Sequence, residues 1–152
     1  MPNWVTTIVH AIKDDADFSK FVGEDGRFTF QKIVPMPESE ENNWYDWSIT
    51  NWGTKWDACE PEVESKTTVK FQTAWSFARP VMKELAKKVG GIICFYADED
   101  IGSNCGAVVI NSKGEVEEIS PAEIYALVLW GMDPTWRSTV LSDLSYYTQE
   151  EE

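Results

Sequence analysis

A chain of 152 residues with 43% hydrophobic side chains is long enough to bury about two-thirds of its unfolded surface within one domain, and too apolar to be disordered. Its 26 acidic side chains outnumber 13 basic ones, and the resulting charge of −13 argues against direct binding of nucleic acid or anionic membranes. Three separated cysteines and one histidine make no ordinary zinc site, and no apolar run approaches the roughly 18 residues of a membrane span. Met1-Pro2-Asn3-Trp4 lacks the basic region and cleavage site of a secretory signal, so the expected compartment is a reducing cytoplasm.

From the N-terminus, Trp4, Thr6, Ile8, His10 and Ile12 alternate with Val5, Thr7, Val9 and Ala11, which predicts a strand. Asp14 and Asp15 are expected to cap a short helix bearing Phe18, Phe21 and Val22 and closed by Gly23. A second strand is expected over 27–34, ended by Pro35 and Pro37, followed by an acidic loop at 38–41. Trp44, Trp47 and Asn51 recur at helical spacing up to Gly53. Residues 54–63 and 67–75 read as two antiparallel arms, with Val69, Phe71, Thr73 and Trp75 on one face of the second.

Pro80 opens an amphipathic helix with Val81, Leu85 and Val89 in register, and Gly90-Gly91 stops it. An apolar strand at 92–96 belongs near the sheet centre, and 106–112 with 115–119 form a hairpin around Lys113-Gly114. Ser120-Pro121-Ala122-Glu123 is a capping box, and Asp133-Pro134 starts a last helix with the stripe Trp136, Val140, Leu144. The expected fold is α+β: a ferredoxin-like antiparallel sheet with helices on one face over 1–119, plus a two-helix C-terminal extension over 120–149 packed on the same domain.

Four segments together resemble the YubB-like family of small ferredoxin-like proteins carried on phages and plasmids. They are Met1-Pro2-Asn3-Trp4, Trp44-Tyr45-Asp46-Trp47 leading into Asn51-Trp52-Gly53-Thr54-Lys55-Trp56-Asp57, Phe71-Gln72-Thr73-Ala74-Trp75-Ser76, and Phe95-Tyr96-Ala97-Asp98-Glu99. The resemblance covers about residues 1–118 and implies a fold and a mobile-element origin in a bacterial cytoplasm. It supplies no reaction. Phe77-Ala78 stands where the family usually has two prolines, and the two last helices lie outside its core.

Two features carry candidate function. Four of the eight tryptophans fall within residues 44–56, and indoles so clustered either plug a core or form a recognition surface. On the second reading Trp44, Trp47, Asn51, Trp52 and Trp56 would clamp a planar ligand such as a nucleotide. The charge is also uneven, with a net of −3 over residues 1–88 and −10 over 89–152. That asymmetry leads to the main expectation, a non-enzymatic protein whose acidic surface binds and inhibits a basic host protein, such as a CRISPR effector or nuclease. The residues assigned to that contact are Asp98, Glu99, Asp100, Glu115, Glu117, Glu118 and Glu123, with Asp133 and Asp143 as additions.

The remaining candidates are weaker. His10 sits in a strand without a nucleophile motif, and Lys55 is expected to lie over an aromatic face or pair with Asp57. The run 98–104 departs from calcium-loop spacing, and Cys94 in an apolar strand is expected to be inert. No cofactor and no catalytic residue is assigned. Self-assembly through the C-terminal helices is a third expectation for function.

Overall fold

The computed structural model describes residues 4–98 and 105–118. Their strands are β1 (Trp4–Ala11), β2 (Cys59–Ser65), β3 (Thr68–Ala74), β4 (Ile92–Asp98), β5 (Cys105–Ile110) and β6 (Val116–Glu118), with helices α1 (Trp44–Asn51) and α2 (Arg79–Val89). The strands form one sheet in the order β2-β3-β1-β4-β5-β6, and every neighbouring pair is antiparallel. The α+β class is therefore as expected, while the extension over 120–149 lies outside the described residues.

β1 sits in the interior of the sheet because its alternation serves both neighbours at once. Val5, Val9 and Thr7 stand opposite Thr73, Val69 and Phe71 of β3, and opposite Asp98, Cys94 and Tyr96 of β4. Since β3 and β4 both run antiparallel to β1, they are parallel to each other, and α2 carries the chain across β1 between them. This is a split βαβ unit.

Pro80 lies in the first turn of α2, where a missing N–H costs nothing. The helix buries Val81, Met82, Leu85 and Ala86 against Val9, Cys94, Val108 and Ile110. Val81, Met82 and Leu85 each contribute about 1.5–3 kcal/mol by this burial. Gly90 then takes φ of 88°, which closes the helix with the Gly90 N–H on Ala86 O at 2.9 Å.

On the opposite side of the sheet His10, Ile93, Phe95, Ala107 and Val109 are also buried. His10 is more deeply placed than a half-buried strand histidine. Its Nδ1 shares a 3.0 Å hydrogen bond with Thr68 Oγ1, and its ring meets Phe95 edge-on at 6.0 Å.

Three expected elements differ. The helix after β1 is a single 3-10 turn, Phe18–Phe21, and Asp17 is its cap, not Asp14 or Asp15. Ser19, through its hydroxyl and then its N–H, holds the Asp17 carboxyl below the usual range. The strand expected over 27–34 does not form. Only an isolated Val22–Phe28 bridge and a 3-10 turn, Phe30–Lys32, occur there, because Phe28 and Phe30 turn into the core and Asp57 takes up the Phe30 N–H at 2.7 Å.

The third difference is Trp75, which leaves the face shared by Val69, Phe71 and Thr73. It adopts φ of 72° and is 56% exposed. The chain bends there because Thr73 Oγ1 donates to Ser76 O at 2.6 Å and the Ser76 N–H to Ala74 O at 2.9 Å.

Cys94 is enclosed, and burial pushes its thiol far above the ordinary range. Iodoacetamide at neutral pH is therefore expected to leave Cys94 unmodified in the native protein and to label it in urea, while the half-buried Cys59 reacts first. Peptide mass spectrometry reads both.

A candidate recognition surface

The tryptophan-rich segment divides into a buried part and an exposed part. α1 begins after a 3-10 stretch, Glu38–Asn43, and its inward residues are Ser48 and, partly, Trp47 and Asn51. Trp52, 3% exposed, donates its indole N–H to Val34 O at 2.8 Å. It meets Trp47 at 5.3 Å and Phe30 at 5.8 Å, both edge to face. Asn51 Nδ2 donates back to Trp47 O at 3.0 Å. Trp52 is thus a core residue, and Trp47 packs against that core.

The other indoles face outward. Trp44 and Trp56 are each 40% exposed and Tyr45 is 51% exposed. Trp44 meets Tyr45 edge-on at 5.8 Å, and Lys55 Nζ lies 5.8 Å from the Tyr45 centroid and 4.5 Å from that of Trp56. Trp56 in turn leans on Trp4 at 6.2 Å. The result is a row of rings from α1 to the start of β1 with a lysine in its middle. Of the two partners expected for Lys55, the aromatic face is the one observed.

Hydrogen bonds on both sides of residues 55–56 fix that row. Buried Thr54 donates from Oγ1 to Ala74 O at 2.9 Å, and Ala74 is the register partner of Trp4. Ser76 Oγ donates to Gly53 O at 2.6 Å. Gly53 has φ of 80°, and a Cβ there would run into Pro80 Cδ, so α2 packs directly on this turn. Beyond Trp56, Asp57 accepts from the N–H of Phe30 and of Ala58, each at 2.7 Å, and from Thr29 Oγ1.

The five residues expected to clamp a planar ligand are thus not gathered around one pocket. Trp47 and Trp52 turn into the core, Trp44 and Trp56 stay outside, and Asn51 faces a different cleft. Trp4 and Tyr45 complete the row, and sequence reasoning missed both. Trp4 is far along the chain from Trp56, and no spacing rule relates them.

The acidic contact residues fare unevenly. Asp98 is 4% exposed, which removes it from a surface set. β4 runs two residues past the expected end at Tyr96, and its alternation turns Asp98 to the same side as Cys94 and Tyr96, opposite Val5. Glu115, Glu117 and Glu118 are exposed beside or on the edge strand β6, with Glu118 Oε1 3.9 Å from Arg79 Nη2. Glu99, Asp100 and Glu123 lie outside the described residues. Other exposed carboxylates stand at Glu60, Glu62 and Glu64 on the opposite edge strand β2, and at Glu38, Glu41 and Asp46, close in the chain to Trp44 and Tyr45. Charge on both edges hinders strand addition by another chain.

One cleft collects cations instead. A cavity of about 580 Å³ between α1 and α2 is lined by Asn51 and Thr50, by Arg79, Lys83 and Lys87, and by an apolar wall that includes Val34 and Pro80. Arg79, Lys83 and Lys87 recur every four residues and so form one ridge of α2. Lys87 is partly neutralised by Glu84 at 2.8 Å. Among the described residues, no helix is long and apolar enough to cross a membrane.

Residues 51–128 match the family described as ferredoxin-like domain in Api92-like protein. No curated protein and no solved structure matches the chain.

Proposed function

Because the chain belongs to the family of ferredoxin-like domains in Api92-like proteins, which defines a fold but no reaction, we propose its function from its surface. It is a non-enzymatic binding protein that recognises and inhibits a basic partner. The observation that carries this reading is the exposed row Trp44, Tyr45 and Trp56, with exposed Glu38, Glu41 and Asp46 close to Trp44 and Tyr45 in the chain. Tryptophan and tyrosine dominate binding hot spots, and carboxylates beside them meet arginine and lysine by charge-assisted hydrogen bonds. The net charge of −13 draws a basic partner in before contact.

The contact surface is thereby moved from 98–123 to 38–56, with Glu115 and Glu117 left as a separate edge. The YubB-like resemblance, an origin on phages or plasmids and a place in the bacterial cytoplasm belong to the same proposal. A nucleic-acid-handling defence protein is then the natural target, since it is basic and accessible to such a chain.

The test is capture from bacterial lysate with the tagged full-length protein over a salt series, beside Y45A, W56A and I49A, the last at an exposed position one turn after Tyr45 on α1. A basic protein should be recovered at low salt, lost steeply as salt rises, and held at least tenfold more weakly by Y45A and W56A. Recovery that is indifferent to salt, or equal for all four proteins, rules the reading out.

The cation-lined cleft favours a second reading. A nucleotide binder would place phosphate on Arg79 and Lys83, with Asn51 and the apolar wall around the base, and not among the exposed indoles. Trp52 is tied to Val34 in that wall, so its fluorescence should report binding. Silence across a panel of mononucleotides, or a response unchanged in R79A, removes this alternative.

A further inference from the structure

The aromatic row already holds a cation, and its geometry points to what the partner inserts there. The Lys55 ammonium lies 4.5 Å from the centroid of Trp56 and 5.8 Å from that of Tyr45, within the range of cation–π attraction for both rings. Among the described residues no carboxylate forms a salt bridge with it. Each ring also touches a further aromatic, Tyr45 meeting Trp44 edge-on and Trp56 meeting Trp4 at a tilt. The backbone on either side is pinned through Thr54 and Asp57.

Two exposed aromatic rings with one ammonium in cation–π range of both have the form of a cation cage closed by an internal stand-in. We propose that Tyr45 and Trp56 form a docking site for an arginine side chain of the basic partner, and that Lys55 occupies the site until that arginine displaces it. This inference rests on the partner-binding reading above and adds the chemistry of its central contact.

Arginine is favoured over lysine because guanidinium is planar and less strongly hydrated, so it stacks on an indole at lower desolvation cost. The lysine stem is flexible, and an exposed cation–π contact is weak, so removing the competing ammonium should improve affinity only about two- to fivefold. Exposed Glu41 and Asp46 lie within four residues of Tyr45 in the chain and offer acceptors for guanidinium N–H groups.

The experiment uses the full-length protein labelled with 15N, titrated with N-acetyl-arginine methylamide and with N-acetyl-lysine methylamide. Chemical shifts of the Trp56 indole N–H are followed in wild type, K55Q and W56A, with thermal melts of each variant to confirm folding. For W56A the Tyr45 amide serves as the reporter. K55Q should bind the arginine probe two- to fivefold more tightly than wild type, the arginine probe should exceed the lysine probe, and W56A should lose about two- to fivefold. If K55Q binds no better than wild type, or the probe's shifts fall away from Tyr45 and Trp56, the cage is overturned, and the partner reading then stands or falls on its own capture assay. If the probe behaves as expected while capture fails, the cage stands and the partner reading is the one that fails.

Discussion

Trp52→Ala is expected to destabilise the protein by about 3–5 kcal/mol, a large share of the roughly 5–15 kcal/mol that holds a domain of this size together. The indole is enclosed against Phe30 and Trp47, and its removal leaves a cavity where two other rings meet it edge-on. Phe30 also packs on Phe71 at 5.4 Å, so the loss reaches β3. The substitution strands Val34 O as well, since that carbonyl accepts the indole N–H at 2.8 Å. Trp52→Phe separates the two effects. It keeps most of the apolar volume and loses the hydrogen bond, so it should cost about 1–3 kcal/mol. Urea denaturation midpoints for the two variants measure this. A Trp52→Ala midpoint within error of wild type would show that Trp52 is not a core residue.

Asp57→Ala is expected to cost about 2–4 kcal/mol, because one carboxylate satisfies the backbone N–H groups of Phe30 and Ala58 and the hydroxyl of Thr29. Thr29 Oγ1 meanwhile caps the following 3-10 turn by accepting from Gln31 N at 3.1 Å. Without Asp57 the 28–33 segment loses its hydrogen bonds to the loop that carries Trp56. Asp57→Asn retains an acceptor for the amides, and Thr29 can reverse its hydroxyl, so this variant should lose less than half as much. Hydrogen exchange gives a local readout, in which the Phe30 amide should lose protection in Asp57→Ala and retain much of it in Asp57→Asn. Equal protection in the two variants would mean that the carboxylate is not the tie.

What was legible in the sequence is whatever neighbouring residues decide among themselves. α2 was readable because Pro80, the stripe Val81, Leu85 and Val89, and the stop at Gly90 act within a few residues of one another. The β5–β6 hairpin was readable for the same reason: Asn111 Oδ1 accepts from the N–H of Lys113 and Glu115, and Gly114 supplies positive φ. α1 and its end at Gly53 followed from spacing.

The misread elements have longer-range causes. Residues 27–34 have the composition of a strand, but Asp57 and the core pull Phe28 and Phe30 out of an extended ladder. Asp98 looks like the start of an acidic loop and is instead the last residue of a central strand.

The candidate site shows the same division. Clustering alone marked residues 44–56 as unusual, and aromatic contact for Lys55 could be expected from its neighbours. Which indoles face water was decided by tertiary contacts. Trp52 is buried because Val34 and Phe30 come to meet it, and Trp56 is presented beside Trp4 because Thr54 binds the carbonyl of Trp4's strand partner. Local chemistry, acting through caps, turns and periodicity, was thus enough to set most of the described elements, and composition alone fixed the strong negative charge. Only the register of β1 between β3 and β4, and the hydrogen bonds that tie distant loops to it, decided which side chains share a surface, because those partners lie too far apart in the chain for any local pattern to relate them.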